Sequence, residues 1–332
     1  MRKLFACLLV AGLFACSNEL NLTADYQDIP IVYALVSPDE PAQYFRVEKA
    51  FIDPEVSPID LAQIADSLYY DNATVTLTRL SSGESVQFEA VDGNDEGIIR
   101  DEGVFASAPN ILYKAFSSQL DLVGGETYEL TVDRGDDSDL IKAQTVIVEE
   151  PIITTPNEFS AINLVPEKTF EVRWLRSETS FLYDLKMIFR YFEKDLTDPS
   201  GDFIEKSIVW DITNGVTNPV AGEILEVSTG GEDFHGFLLS NLEVNPNLDR
   251  RFHTADIVVL VGGEELFNFQ SVASANLGIT ASQDIPTYTN LSEGRGLFSS
   301  RIRISEENLE FTAATIDSVV LGNATSILNF KN

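Results

Sequence analysis

Apolar and polar residues alternate with a period of two along most of the chain, in short runs closed by Gly, Pro, Asp or Ser. That period sends successive side chains to opposite faces of an extended strand, so the pattern predicts many short strands, half-buried in sheets. An apolar β-rich run covers 29–36 and stops at Ser37-Pro38-Asp39, and an alternating run covers 44–51 and ends before Pro54 and Pro58. Residues 73–80 and 85–91 flank Ser81-Ser82-Gly83-Glu84 and predict a hairpin with Val75, Leu77, Val86 and Phe88 on its apolar face. Further strands are expected at 103–105, 111–113, 127–132 and 143–148.

Helical spacing is rarer. Ser57 at an N-cap, Pro58 at the first helical position and Asp60 three residues after the cap introduce Leu61, Ile64, Ala65 and Leu68 at i, i+3, i+4 and i+7. One short amphipathic helix over about 57–70 is therefore expected, packed on the sheets. After a Pro-, Asn- and Thr-containing connection, a second β series follows at 169–175, 181–192 and 203–212, the last two joined by a turn at 198–202. A helical turn is expected near 233–241 and a buried strand at 254–261, broken by Gly262-Gly263 before an acidic-headed helix at 264–276. The predicted class is mainly β. An N-terminal immunoglobulin-like β-sandwich domain spans 29–150, and a second β-rich (α+β) domain with one or two short helices spans 166–332.

The first residues change the picture from a plain globular chain to an exported one. Arg2 and Lys3 precede an apolar run from Leu4 to Ala15, which is too short for the roughly 20 residues a membrane-spanning helix needs. Residues 1–15 are predicted as a lipoprotein signal peptide. Leu13, Ala15 and Cys16 fit a bacterial lipobox, with Phe14 where a small residue is usual. Cys16 is then the lipidation site and mature N-terminus, carrying acyl chains worth about 0.8 kcal/mol per buried CH₂, and residues 16–28 are a polar tether. Cys7 and Cys16 are the two cysteines, so the mature chain has no internal disulfide, zinc–thiolate site or cysteine nucleophile. Ser17 rather than Asp follows the lipidated position, which points to the outer membrane, on either the cell-surface or the periplasmic face.

Charge removes another class. With 22 Lys+Arg against 53 Asp+Glu the net charge is −31, and a surface this anionic repels a phosphate backbone, so nucleic acid is excluded as a partner. His235 and His253 are the two histidines, which rules out a multi-histidine metal site within the chain. Neither Ser228 nor Ser240 sits in a Gly-x-Ser-x-Gly elbow. Asp92 to Gly97 opens like a calcium loop, but Gly103 occupies the twelfth position where a bidentate Glu is required. Asp133 to Asp139 contains Arg134-Gly135-Asp136 and reads as a solvated turn. No catalytic residue, cofactor or metal ligand is assigned.

The segment from Glu264, with its aromatic helix, and the turn carrying Asn290, Leu291, Glu293, Gly294, Gly296, Leu297 and Phe298 resemble a family of uncharacterised Bacteroidota outer-membrane lipoproteins built on a domain of unknown function. The block from Val32 to Phe51 is similar to that family's opening. The resemblance implies location and architecture, and an association with TonB-dependent receptor systems, without a catalytic residue. The expectation is a non-enzymatic lipid-anchored envelope protein, acting as a binding or accessory module toward an envelope protein such as a TonB-dependent transporter. The alternative is a surface carbohydrate-binding or glycan-processing lipoprotein, which requires Trp174 or Trp210 in an open cleft.

Overall fold

A computed structural model describes residues 27–52, 57–198, 200–217, 223–276 and 287–332. The expected signal peptide, the expected lipidation site Cys16 and the expected tether as far as residue 26 lie outside the described residues. The molecule is mainly β, with sandwich-like sheets around two apolar cores.

The first core is wrapped by β1 (Gln27–Val36), β2 (Ala42–Ile52), β3 (Thr74–Arg79), β4 (Ser85–Asp92), β5 (Ile111–Phe116), β6 (Thr127–Asp133) and β7 (Ile141–Val146), hydrogen-bonded in the order β1-β2-β5-β4-β3-β6-β7. Two of these strands change partner along their length. Residues 42–45 of β2 pair with β5 and 46–52 with β1, while 85–88 of β4 pair with β3 and 89–92 with β5. Such strands turn the corner between the two layers of a sandwich. Inside, Val32, Ala34, Phe45, Val75, Leu77, Phe88, Leu130 and Val132 are buried, as the alternation requires, and the Phe45 and Phe88 rings stack at 4.4 Å.

The second core lies between a three-stranded sheet and a longer one. The small sheet is β8 (Ile152–Thr155), β9 (Thr169–Leu175) and β12 (Ile224–Gly230), in the order β12-β9-β8. The long one holds β10 (Leu182–Asp195), β11 (Ile204–Val216), β13 (Leu248–Gly262) and β14 (Arg295–Glu310) in the order β11-β10-β13-β14, with β15 (Phe330–Lys331) parallel to β13. Among the described residues the helices are α1 (Pro58–Ala62), α2 (Ala65–Leu68), α3 (Ser117–Leu120), α4 (Gly231–Asn241), α5 (Glu264–Asn276) and α6 (Ala313–Val320). Phe234 and Leu238 of α4 reach the second core, where Phe189, Trp174 and Ile257 are also fully buried.

β14 joins the two halves. Residues 295–300 run parallel to β1, pairing Ile31 with Arg295 through Val36 with Ser300, and residues 301–310 run antiparallel to β13. Phe298 enters the first core, while Ile302, Ile304 and Leu309 of the same strand enter the second. One sheet path therefore crosses the 151–165 connection, which itself carries β8.

Two local expectations need correction. The single helix expected at 57–70 is two short ones, broken at Gln63 and Ile64. Ser57 makes no side-chain cap bond, and the Ser67 hydroxyl sits 2.6 Å from both the Leu61 and the Ile64 carbonyl oxygens, satisfying the acceptors at the break. Residues 103–105 form bends instead of a strand, because β5 already pairs on both of its edges and leaves them no ladder to join.

Candidate functional site

Because Val32, Ala34 and Val36 face the core, Tyr33 and Leu35 face outward, and the same alternation puts Tyr44 and Arg46 on the outer face of β2. Over this face stands α5. Its start is fixed by Gly263 N–H donating to Ser300 O at 2.9 Å, by Leu266 N–H donating to Ser299 Oγ at 3.1 Å, and by Thr145 Oγ1 donating to Glu265 Oε2 at 2.7 Å. Leu266 and Phe269 thereby wall a groove of about 620 Å³ whose floor is the outer face of β1, β2 and the start of β14. Phe269 meets Tyr33 edge-on, with ring centres 6.4 Å apart at 87°.

The polar groups are set around an apolar floor. Arg46 Nη1 donates to Glu48 Oε1 at 2.8 Å and to Asn110 Oδ1 at 2.9 Å. The Arg301 guanidinium, exposed at the groove, makes no side-chain hydrogen bond or ion pair with the described residues. Tyr44 donates its hydroxyl to Glu96 Oε2 at 2.9 Å, and Lys114 Nζ lies 2.6 Å from the same oxygen. Those two bonds, that from Lys114 foremost, hold the Glu96 carboxyl below its usual range. Burial does the opposite at Glu265, whose carboxyl is pushed up despite the Thr145 bond. Gln43 fixes the turn that ends the groove, its amide accepting from Ser37 N–H and donating to Ser37 O and Ser117 Oγ, each at 2.8 Å. Chemically, apolar and aromatic walls of this kind suit an apolar body, and the Arg301 guanidinium suits an anionic group beside it.

The residues singled out by sequence are dispersed. Asn290 works as a strand surrogate, donating Nδ2 to Phe298 O at 2.7 Å and accepting Phe298 N–H at 3.0 Å on Oδ1. Gly294 and Gly296 have φ of 90° and 123°, and a Cβ on Gly296 would lie 1.8 Å from Val32 O. The motif thus seats β14 on β1. Arg134 is buried and bonds both Glu293 oxygens at 3.1 and 3.2 Å, so the Arg-Gly-Asp tripeptide is not displayed as a recognition loop.

His235 Nε2 lies 3.2 Å from Ser318 Oγ, a pairing across 83 residues with no local sequence signal. Burial lowers this imidazole's pKa, and Ser318 donates its own proton to Thr315 O at 2.7 Å, into its helix. His253 instead packs its ring 4.6 Å from Phe192. Asp92 Oδ1 accepts the N–H of Asn94, and Asp133 and Asp136 accept those of Gly135 and Ser138, which are turn bonds, while Asp92 Oδ1 also accepts the N–H of Asn110 just before β5. Among the described residues no group of three or more His, Cys, Asp or Glu is placed to hold a metal ion. Trp174 is 0% and Trp210 9% exposed, both inside the second core, so neither offers the open platform that the glycan alternative requires.

Sequence reading missed the groove because its walls come from segments more than two hundred residues apart. The available signals were the outward-facing Tyr33 and Tyr44, in strands whose inner faces are aliphatic or aromatic, and the aromatic residues of the helix at 264–276.

No helix among the described residues is long and apolar enough to cross a membrane. No protein-family model and no curated protein matches the chain. Among solved structures, the C-terminal globular domain of an oligosaccharyltransferase from Pyrococcus abyssi is similar at 11% identity and a TM-score of 0.23, over 65% of this chain and 40% of that one. The FN1–FN3 domains of chicken CNTN1 give 10% identity and a TM-score of 0.18, over 83% and 66%. Trypsin-activated alpha-2-macroglobulin from Escherichia coli gives 11% and 0.17, over 71% and 14%. The chain spans less than two thirds of the length of each of these three.

Proposed function

We propose that this chain is a non-enzymatic envelope protein, lipid-anchored in the outer membrane through Cys16, that binds a second envelope protein in the groove between α5 and the β1–β2 face. The observation that carries the reading is the groove itself. About 620 Å³ of largely apolar, aromatic-edged space is open at the surface, with a guanidinium at Arg301 that no described residue pairs, on a chain of net charge −31. That combination fits a protein segment presenting an apolar or aromatic side chain beside a carboxylate. The partner we favour is a TonB-dependent transporter, which would share the membrane, a reading supported by the resemblance of the sequence to uncharacterised Bacteroidota outer-membrane lipoproteins.

The test is recovery of partners from gently solubilised outer membranes with a C-terminally tagged protein. Wild type, Cys16→Ala, which cannot be acylated, and Arg301→Glu are compared. One transporter recovered with wild type and lost with Arg301→Glu supports the reading. Recovery of the lipoprotein alone, or equal recovery with the groove variant, overturns it.

A further inference from the structure

At the base of the β1–β2 hairpin, where the chain arrives from its N-terminus, two distant segments meet. Ala106 N–H donates to Ala62 O at 2.8 Å and ties the loop before β5 to the end of α1. The junction encloses a second hollow of about 320 Å³, walled by Ile31, Ala50, Ile59, Leu68, Val104 and Phe105. Ile59 is 59% exposed and Val104 and Phe105 are each 50% exposed. Ile64 and Ile99, on the same two segments, are also exposed. Large apolar side chains gathered in this way mark a contact surface. Its shape is held from behind: Arg100 pairs with Glu48 and stands 5.6 Å over the Phe105 ring, and Tyr69 donates its hydroxyl to Pro109 O at 3.0 Å.

What covers this surface follows from where the chain leads. β1 begins at Gln27, eleven residues after Cys16, and a fully extended segment of that length reaches about 40 Å at most. Ile31, in the wall of the hollow, is only four residues further on. The anchor therefore keeps this end of the molecule close to the bilayer. Exposed apolar side chains with a cation at their border, here Lys49, are a composition that interfacial membrane contacts use. We infer that the patch formed by Ile59, Val104 and Phe105 seats in the interfacial layer of the outer-membrane bilayer and fixes the orientation of the protein on it. The inference rests on the lipid-anchored reading of Cys16.

The experiment uses the full acylated protein in vesicles of phosphatidylethanolamine and phosphatidylglycerol. Val104→Cys places a single free thiol in the mature chain, because the sulfur of Cys16 is blocked by lipid, and it is labelled with a polarity-sensitive bimane. Ser240→Cys on α4 is the control, and the mass of the N-terminal peptide reports acylation. The expected result is a blue-shifted label at 104 that nitroxide lipids quench, with neither effect at 240. Phe105→Asp, checked for folding by circular dichroism, removes the quenching while the protein stays on the vesicles. Acylated, vesicle-bound protein whose label at 104 is as solvated as that at 240 overturns the seating alone. An N-terminal peptide without acyl mass overturns the anchor, and the seating with it.

Discussion

Asp256 on β13 is 1% exposed, yet Arg190 on the neighbouring strand closes on both of its oxygens at 2.5 Å and Asn308 N–H adds a bond at 3.0 Å. Burial pushes this carboxyl up, but the guanidinium and the N–H outweigh burial and hold it below the usual Asp range. A carboxyl lowered on folding lends stability above its unfolded pKa and loses it as pH falls through the folded value. Asp256→Asn is therefore expected to cost about 2–3 kcal/mol at pH 7, since Arg190 is partly exposed and can be hydrated. The gap from wild type should narrow as pH drops below about 4, and urea unfolding at pH 7 and pH 3 measures it. An equal gap at both values would mean that shape, not charge, is what the substitution removes. Arg134 and Glu293 make a similar bond between a hairpin loop and the glycine turn, and their separation of 159 residues hides it from any sequence window.

At the scale of elements, α5 and β1 meet through Tyr33 and Phe269. An edge-on aromatic pair contributes about 0.5–1.5 kcal/mol beyond the area it buries, so Tyr33→Ala and Phe269→Ala should couple by about 1 kcal/mol in a double-mutant cycle read by urea unfolding. Additive effects would mean that the helix wall is positioned by Leu266 and the Ser299 bond alone. The sequence was legible wherever one face of an element is buried against one neighbour. β3 and β4 alternate cleanly and form the expected hairpin, β10 and β11 pair across the expected turn, and the glycine pair before residue 264 marks the start of α5. It was illegible where stability comes from elsewhere. β8 alternates without a buried residue and β12 buries only Leu225 outright, so both depend on β9. The α1–α2 break is set by one serine hydroxyl, against a spacing that reads as continuous helix. Of the candidate site, Tyr33, Tyr44 and the aromatic helix were visible singly. Their convergence, with Arg301 beside them, needed the parallel β1–β14 pairing that no local pattern encodes.

For the whole molecule, the shared strand predicts shared unfolding. Phe298→Ala empties part of the first core and Ile304→Ala part of the second, at about 3–5 and 2–5 kcal/mol. Scanning calorimetry is expected to show one transition that both substitutions lower. Two transitions, each moved by only one substitution, would mean that the cores melt independently. The position of β1 has a mechanical consequence as well. The chain enters the fold at Gln27 on a strand flanked on one side by β2, through seven paired positions, and on the other by β14, through six. A drag on the N-terminal end directed along β1 loads both ladders in shear, all bonds at once, where an edge strand pulled sideways would peel one bond at a time. The seam that welds the two cores is thus also the place where a pull on that end of β1 would be borne.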